Sequence, residues 1–524
     1  MIDLLLTGGL VFDGTGAPPR LGALAIQGDR LAAVGAAEGP AACTLDVSGC
    51  WVAPGFIDVH GHSDSTIFLA RSMESKVRQG VTTEVIGNCG ASLAPLTGEA
   101  REVVARELAG LGVPLEWQSV AEYLRALAEG GLAINVALLV GHDVLRYGAV
   151  GSAARPADRT ELRAMQAALA RALEEGAWGL SLGLAYAPGV FADQAELVAL
   201  ADVVAGSGLL AVHLRDEGEQ LHAAIAEVLA VARKSGVRLE ISHLKASGRR
   251  QHGTLPQVLR WLTAERASGL DLGWDIYPYL AASTTLAATL PPWLHADGPA
   301  ALLARLDDPA ILERLREDEA TGAWTGLARD AGWDGIVVTG ARGRPDATGQ
   351  TIAALAAQNQ RDPWEEVVAL LRASGGSVGC LFFTLAEEDV AAAIDHPLTV
   401  FGSDSAARVP RGALGRGRPH PRGYGTFPRL LRRVATQPDR AADLIHRLTG
   451  LPAERFGLAG RGVLQPGAAA DVVVVDPRTV ADRATYDQPH QFPDGIRWVI
   501  VNGTVVVDPA GQREVLPGRV LRRG

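Results

Sequence analysis

The sequence has few cysteines, no long apolar run and no excess of positive charge. Its 524 residues include 4 cysteines, Cys43, Cys50, Cys89 and Cys380, which are too few and too scattered for a disulfide framework. We therefore expect a reducing compartment and a cytoplasmic protein. No apolar run approaches the roughly 20 residues of a membrane span, and the first residues lack the basic segment of a signal peptide, so we expect no membrane partner.

Acidic residues outnumber basic residues, which bears on possible partners. The chain has 59 Asp and Glu residues against 49 Lys and Arg residues, a net charge of -10. Because no basic stripe of the kind that binds phosphate backbones is present, we expect no nucleic-acid partner. In residues 408–422 arginine alternates with Gly and Pro. We interpret this stretch as a partly solvated loop, and a substrate-facing role for part of it stays open.

The two ends of the chain differ from its middle. Short β-like runs occur at 3–6, 23–27 and 30–34, and again at 470–476 and 498–507, separated by Gly, Pro and Asp. We expect these two ends to pair into one small β-sandwich domain. The composition, with 48% hydrophobic and 21% charged residues, is typical of a globular protein with a sizeable core.

In the middle of the chain, short apolar strands alternate with helical stretches rich in Ala, Leu, Glu and Arg. Continuous apolar runs are typical of parallel strands that helices cover, and about eight strand–helix units favour closure into a TIM-like (β/α)8 barrel. The predicted strands are 55–59, 82–86, 133–140, 179–182, 209–213, 238–243, 270–276, 377–383 and 399–403.

These patterns predict an α/β protein with two domains. The barrel covers residues 55–455, and residues 1–54 and 456–524 form the two parts of the small β-domain. From about 286 to 342 the strand–helix rhythm breaks, with Pro291-Pro292-Trp293 followed by charged helical segments. We interpret this segment as an insertion beside the barrel mouth that could serve as a lid.

The first candidate metal ligands end the first predicted barrel strand, in residues 54–62 (Pro-Gly-Phe-Ile-Asp-Val-His-Gly-His). Side chains two residues apart on a strand point to the same side, so His60 and His62 can present two imidazoles to one ion. The carboxyl end of the strand is the active face of a barrel. A structural pairing of the two histidines is the alternative for an isolated His-x-His.

Three further strand ends carry residues that bind metals. Cys89 lies in the Gly-Asn-Cys-Gly of 87–90, and His213 and His243 each end a predicted strand. A lone cysteine or histidine at such a position is more often a buried structural residue. Four histidines and one cysteine at strand ends of one barrel instead favour a shared metal site, because zinc accepts both sulfur and nitrogen ligands.

Asp404 follows the last predicted strand, in the Gly-Ser-Asp-Ser of 402–405. An aspartate after a strand is commonly a helix N-cap or a turn residue. Beside a metal cluster it can also take a proton from a metal-activated water and later give it to a departing nitrogen. We favour the catalytic role.

At these residues the sequence resembles the D-aminoacylase (N-acyl-D-amino-acid deacylase) family of the amidohydrolase superfamily. The Gly-Asn-Cys-Gly cysteine separates this family from hydantoinases and dihydroorotases, which typically use a carboxylated lysine as the bridging ligand. The similar segments are 54–62, 80–90, 179–186, 241–245, 275–284, 402–404, 420–428 and the tail from residue 448.

The resemblance implies a zinc site with one tightly bound ion and a second, weaker position that Cys89 can bridge. It also implies that Asp404 is the general acid/base. The tighter ion is expected at Cys89, His213 and His243, and the weaker position at His60, His62 and Asp404.

By the same resemblance, Lys245, Tyr277 and Ser283 contact the substrate carboxylate, with Tyr186 close by. From the residues alone, Lys245 could be a surface cation, the tyrosines core aromatics and Ser283 a turn hydroxyl. Leu244 departs from the family, because we expect many relatives to have another histidine there.

The expected reaction is zinc-dependent hydrolysis of the amide bond of an N-acyl-D-amino acid, giving a carboxylate and a free D-amino acid. The nearest alternative is a hydantoinase-like enzyme acting on cyclic amides, or a deacylase of another N-acyl substrate such as a dipeptide. A non-catalytic scaffold of the same fold is the remote alternative, and the complete set of donor residues argues against it. The expected partner is the small N-acyl amino acid, and the sequence does not determine the oligomeric state.

Overall fold

The computed structural model of the protein describes residues 2–324 and 326–523. The strands are β1 (Ile2–Val11), β2 (Arg20–Gln27), β3 (Arg30–Gly35), β4 (Ala41–Asp46), β5 (Trp51–Pro54), β6 (Phe56–Asp58), β7 (Val81–Ile86), β8 (Asn135–Gly141), β9 (Gly179–Gly183), β10 (Leu209–His213), β11 (Arg238–Ile241), β12 (Leu272–Ile276), β13 (Ala282–Thr285), β14 (Ile336–Ala341), β15 (Val378–Phe382), β16 (Thr399–Phe401), β17 (Val472–Val475), β18 (Ile496–Val501), β19 (Thr504–Asp508) and β20 (Gly511–Gln512).

Helices connect most of the central strands. Across the part of the chain that is described, none of them combines the length and the apolar character needed to cross a membrane. The helices are α1 (Glu74–Val77), α2 (Ala100–Leu111), α3 (Val120–Glu129), α4 (His142–Ala149), α5 (Arg159–Glu174), α6 (Gln194–Val204), α7 (Leu221–Ser235), α8 (Leu255–Ala267), α9 (Gly298–Arg305), α10 (Pro309–Thr321), α11 (Leu327–Ala331), α12 (Ile352–Gln358), α13 (Pro363–Ala373), α14 (Glu387–Asp395), α15 (Arg422–Val434), α16 (Pro438–Leu448) and α17 (Gly450–Phe456).

Eight parallel strands form the central barrel. Their order is β6-β7-β8-β9-β10-β11-β12-β16, so each strand pairs with the next barrel strand along the chain. A parallel bridge between Gly61 and Ser405 joins the two ends of this sheet. The Asp404 N–H donates to the His60 carbonyl at 2.8 Å in the same place. The closed sheet with surrounding helices confirms the predicted (β/α)8 fold class.

The barrel strands are apolar without alternation because both of their faces are covered. Every residue of β7, β8 and β12 is buried. In β8, Ala137 and Leu139 belong to one apolar cluster, whereas Val136 and Leu138 belong to another. Successive side chains point to opposite faces of a strand, so each strand contributes to two separate cores. This arrangement explains the continuous apolar runs in the sequence.

Both chain ends build one nine-stranded sheet beside the barrel. Strands β1–β5 from the amino-terminal part and β17–β20 from the carboxyl-terminal part meet where β5 pairs with β17, with Ala53 opposite Val473. The sheet has its own apolar core, which includes Leu4, Leu24 and Val474. The predicted small β-domain from both termini is therefore present, and its boundaries at 54 and 456 stay a prediction.

Between β12 and β16 the chain leaves the barrel. Strands β13, β14 and β15 form an antiparallel sheet with β15 in the middle, over a separate core that includes Leu286, Val338 and Phe382. The prediction of residues 377–383 as a barrel strand is therefore wrong. A short apolar run does not indicate which sheet it joins. The insertion predicted at about 286–342 falls inside this excursion, and its exact limits and lid role stay predictions.

Candidate metal centre and substrate cavity

The six predicted metal ligands meet at the carboxyl ends of the barrel strands. His213 is the last residue of β10, and the other ligands stand within a few residues after β6, β7, β11 and β16. Because parallel strands present their carboxyl ends at one face of the barrel, ligands far apart in sequence come together. The converging residues are His60, His62, Cys89, His213, His243 and Asp404.

The Cys89 thiol lies between two imidazoles. Its Sγ atom is 3.2 Å from His60 Nε2 and 3.3 Å from His243 Nε2. The ring of His213 packs edge-on against that of His243, with centroids 4.4 Å apart, and its buried Nδ1 has no hydrogen-bond partner among the described residues. Sulfur and nitrogen donors at these spacings can surround one ion.

A second group of donors shares His60 with the first. Asp404 Oδ1 is 3.0 Å from His62 Nε2 and 3.7 Å from His60 Nε2. One donor atom from each of these three residues lies within 4.8 Å of the other two. The two donor groups are therefore adjacent and have His60 in common.

Three of these residues have unusual backbone conformations. Cys89 (φ 53°), His243 (φ 34°) and Asp404 (φ 45°) lie in the left-handed region, which side chains other than glycine rarely adopt. Hydrogen bonds hold the backbone there, since His243 N–H donates to Asp275 Oδ1 at 3.0 Å and Asp404 N–H donates to the His60 carbonyl. Strain of this kind concentrates at functional sites.

The charges around Cys89 favour its thiolate. Burial raises the pKa of the thiol, but the imidazoles of His60 and His243 outweigh burial and hold this pKa well below its usual range. The thiolate is the form of cysteine that binds metals. The electrostatics of the site therefore agree with a ligand role for Cys89.

Arg422 is a site residue that the sequence analysis did not assign. It begins α15, is buried, and places Nη1 2.8 Å from Asp404 Oδ2. Burial raises the pKa of Asp404, but the Arg422 guanidinium and His62 hold it well below its usual range. The available signal was the position of Arg422 in the segment 420–428, one of those that carry the family resemblance.

Two carboxylates contact the second ring nitrogens of candidate histidine ligands. Asp275 Oδ2 lies 3.3 Å from His60 Nδ1, and Glu217 Oε1 lies 3.0 Å from His243 Nδ1. Such partners fix the orientation of a ligating imidazole through its second nitrogen. Sequence reasoning missed both as functional residues. Asp275 lies in a segment of family resemblance, whereas Glu217 had no distinguishing pattern.

A cavity of about 620 Å³ opens from this centre, and all four predicted substrate-binding residues line it: Tyr186, Lys245, Tyr277 and Ser283. The Tyr186 ring is 4.8 Å from that of His213. Lys245 Nζ is 2.5 Å from Glu217 Oε1, so it is no surface cation. Among the described residues the buried Tyr277 hydroxyl has no hydrogen-bond partner, which leaves it available to a ligand.

The excursion between β12 and β16 forms one wall of the cavity. It contributes Ser283 from β13, together with Trp324, Leu327 and Asp330. A Cβ atom added at Gly218 or at Gly248 would lie 2.7 Å from an Asp330 carboxylate oxygen, so this wall packs closely against the loops that follow β10 and β11. The substrate space is therefore bounded by the barrel and the excursion together.

The chain was compared with known proteins. A model of the amidohydrolase family matches residues 44–507. The chain is 38% identical to an N-acyl-D-glutamate deacylase of Alcaligenes xylosoxydans xylosoxydans, covering 100% of this chain and 97% of the relative. It is 36% identical to a D-aminoacylase of the same organism, covering 99% and 98%.

A solved structure is similar over the same length. It is an N-acyl-D-glutamate deacylase from Bordetella bronchiseptica in complex with zinc and a phosphonate inhibitor that mimics the tetrahedral intermediate of its reaction. The TM-score is 0.82 at 38% identity, with 99% of each chain covered. The likeness therefore extends over the barrel, the terminal sheet and the excursion.

Proposed function

The chain belongs to the amidohydrolase family, and we propose that the cavity at its barrel mouth is the active site in which it hydrolyses the amide bond of N-acyl-D-amino acids. The products are a carboxylate and a free D-amino acid. The protein is an enzyme with zinc as its cofactor. One observation carries this conclusion. The chain is similar over its full length to two deacylases, and its candidate metal donors all converge at the barrel mouth.

The residues present fit zinc. The set combines a thiolate, imidazoles and a carboxylate, which are the donors that zinc accepts, and it includes a buried His213 nitrogen without a partner among the described residues. When bound, zinc supplies a Lewis acid that lowers the pKa of water and offsets charge on the carbonyl oxygen. Cys89, His213 and His243 would hold the tighter ion, and His60, His62 and Asp404 the weaker one.

Asp404 is suited to move the proton during hydrolysis. Its low pKa keeps the carboxylate ionised, so it can accept a proton from the attacking water. Arg422 Nη1 forms an ion pair with Oδ2, whereas Oδ1 faces the imidazoles of His60 and His62 beside the candidate metal position. Once protonated, the group is a strong acid and can donate to the nitrogen, which is too basic to leave as an anion.

The cavity wall beside the candidate metal donors is suited to bind the substrate carboxylate. The Arg422 guanidinium lies 4.5 Å above the Tyr277 ring, and Lys245 Nζ is 5.8 Å from the same ring. These cations and the free Tyr277 hydroxyl can give charge-assisted hydrogen bonds to a carboxylate, with Ser283 and Tyr186 beside them. Anchoring the carboxylate and the amide fixes the direction of the side chain, which gives selectivity between D and L substrates.

A small N-acyl amino acid as partner follows from the function. We retain the cytoplasmic location as a prediction that rests on the four scattered cysteines.

A substrate panel tests the proposed function. The zinc-loaded protein would be assayed with N-acetyl-D-amino acids, their L-enantiomers, hydantoins and dipeptides, with chelator-treated protein as control. We expect release of free amino acid from the linear D-series. A preference for the L-series or for ring substrates would contradict the proposal.

A further inference from the structure

Lys76 is a fully buried cation beside the metal centre, and the proposed reaction does not use it. Its side chain has no exposed surface. Nζ lies 2.7 Å from Asp58 Oδ2, from Ser403 Oγ and from the Ser405 carbonyl oxygen, and 3.0 Å from Glu84 Oε1. Burial of an ammonium group is costly unless its donors are satisfied. These four oxygen atoms therefore provide acceptors for all three N–H groups of the Lys76 ammonium.

Three of the four partners of Lys76 belong to the two strands at which the barrel closes, and the fourth, Glu84, lies in β7. Asp58 ends β6 and stands two residues before His60. Ser403 and Ser405 follow β16 and flank Asp404. Asp58 Oδ1 also accepts from the Ser403 N–H at 2.8 Å. The Lys76–Asp58 ion pair therefore connects the segment that carries the first histidine ligands to the segment that carries the catalytic carboxylate.

The segment around Asp404 is anchored at both ends. Ser403 is bound by Asp58 and Lys76 on one side of Asp404, and the Ser405 carbonyl is bound by Lys76 on the other. Further along, the Ala407 N–H donates to Ser63 Oγ at 2.7 Å. Asp404 itself has a φ of 45°. A residue keeps such a conformation only where its surroundings impose it.

We infer that Lys76 is a positioning residue: its ammonium group clamps residues 403–405 so that the Asp404 carboxylate stays opposite His60 and His62. This inference rests on the proposed role of Asp404. Loss of the ammonium group should release Asp404, lower turnover and weaken the metal position framed by His60, His62 and Asp404. The tighter ion should change little, because Cys89, His213 and His243 lie outside residues 403–405. The affinity for substrate should change less than turnover, because Lys245, Tyr277 and Ser283 also lie outside this segment and only Arg422 pairs with it.

The test uses Lys76→Met together with the double variant Lys76→Met/Asp58→Asn. The single variant leaves the Asp58 and Glu84 carboxylates buried without their cation, which destabilises a protein strongly. The double variant leaves only Glu84 without its cation and should regain part of the lost thermal stability. In both variants we expect kcat to fall by about 100-fold, the cost of a misplacement of about 1 Å, and KM to change less than kcat.

Arg455→Met is the matched control. Arg455 is also a buried cation paired with barrel carboxylates, since its Nε is 2.7 Å from Glu240 Oε2 and its Nη1 is 3.1 Å from Asp271 Oδ1. Both of these carboxylates precede the strand carboxyl ends that carry the metal donors, and Arg455 contacts none of residues 403–405. We expect this variant to lose stability while the folded protein keeps its kcat, which separates positioning from general stabilisation.

Metal binding gives a readout independent of activity. Chelator-treated proteins would be titrated with cobalt(II) and followed by its visible absorption. The wild type and Arg455→Met should bind one equivalent of cobalt tightly and a second equivalent more weakly. The Lys76 variants should still bind the first equivalent tightly, but their affinity for the second equivalent should be lower. If the wild type hydrolyses no N-acyl-D-amino acid, the proposed function fails, and this titration still decides the role of Lys76.

The inference is overturned if the Lys76 double variant is stable, binds both equivalents like the wild type and keeps its kcat. It is also overturned if kcat changes in the same way in Arg455→Met. Should neither Lys76 variant fold, Ser403→Ala removes one partner of the clamp without changing any charge. That variant should lower kcat by more than it changes KM, and wild-type turnover in it would contradict the clamp.

Discussion

Arg422 and Asp404 form an ion pair inside the cavity, with Nη1 2.8 Å from Oδ2 and side chains only 5% and 12% exposed. The pair links the proposed acid/base to the proposed carboxylate site, since the same guanidinium covers the Tyr277 ring. Substrate binding and proton transfer therefore share one residue. This arrangement leads to separate predictions for the two members of the pair.

Asp404→Asn should keep the fold and the tightly bound zinc while lowering kcat by about 10²–10⁴-fold, the usual contribution of a general acid/base. The amide cannot accept and return the proton, whereas Cys89, His213 and His243 remain. Turnover and zinc content of the purified variant would be measured together. Near-native turnover in zinc-loaded variant would remove Asp404 from the mechanism.

Arg422→Met should weaken the preference for a free carboxylate. We would compare N-acetyl-D-amino acids with their C-terminal amides. A charge-assisted hydrogen bond contributes about 1.5–3 kcal/mol, so the ratio of kcat/KM for the acid to that for the amide should fall by about 10–100-fold in the variant, and Lys245 should keep the rest of the preference. The ratio is informative because a loss through Asp404 affects both substrates equally.

Arg418→Met is the control for that experiment, since Arg418 lies in the same loop but is largely exposed and near Asp487. It should keep the full preference for the acid. If Arg422→Met also keeps the full preference, the carboxylate binds elsewhere.

Cys89→Ser should release the tightly bound zinc from the purified protein, because a serine hydroxyl does not replace a thiolate as a zinc ligand. Metal analysis after dialysis measures the effect. Cys380→Ser is the control, since Cys380 is buried in the core of the excursion and should affect stability without affecting zinc. Unchanged zinc in Cys89→Ser would show that this thiol is only structural.

The low pKa of Glu196 leads us to expect a lower free energy of unfolding at low pH. Burial raises its pKa, but His142 and Arg146 outweigh burial and lower the pKa from 4.5 to about 2. Because the folded pKa lies below the unfolded one, the stabilisation is complete above about 4.5 and disappears as the pH falls through about 2. Glu196→Gln should cost about 3–5 kcal/mol at pH 7.

Thermal unfolding of wild type and Glu196→Gln from pH 7 down to pH 3 tests this prediction. The difference in melting temperature should shrink with falling pH. A difference independent of pH would show that Glu196 contributes by packing alone.

The convergence of the candidate ligands could be predicted from sequence because each combines a metal-binding residue type with the end of an apolar strand, and the fold places such ends together. The role of Arg422 could not be assigned, since it ends the stretch 408–422 of Gly, Pro and Arg that we interpreted as a partly solvated loop. Lys76 lacks a signature, because a single lysine in a helix is usually exposed. For the fold, the sheet that residues 377–383 join could not be predicted either, because their apolar pattern is compatible with both the barrel and the antiparallel sheet of the excursion.

A zinc titration tests the central claim most directly. Chelator-treated protein would receive increasing zinc while the release of free amino acid from an N-acetyl-D-amino acid is followed. We predict no release without metal and full activity once the site of Cys89, His213 and His243 is filled. Activity in the metal-free protein, or bound zinc without activity on any linear D-substrate, would contradict the account.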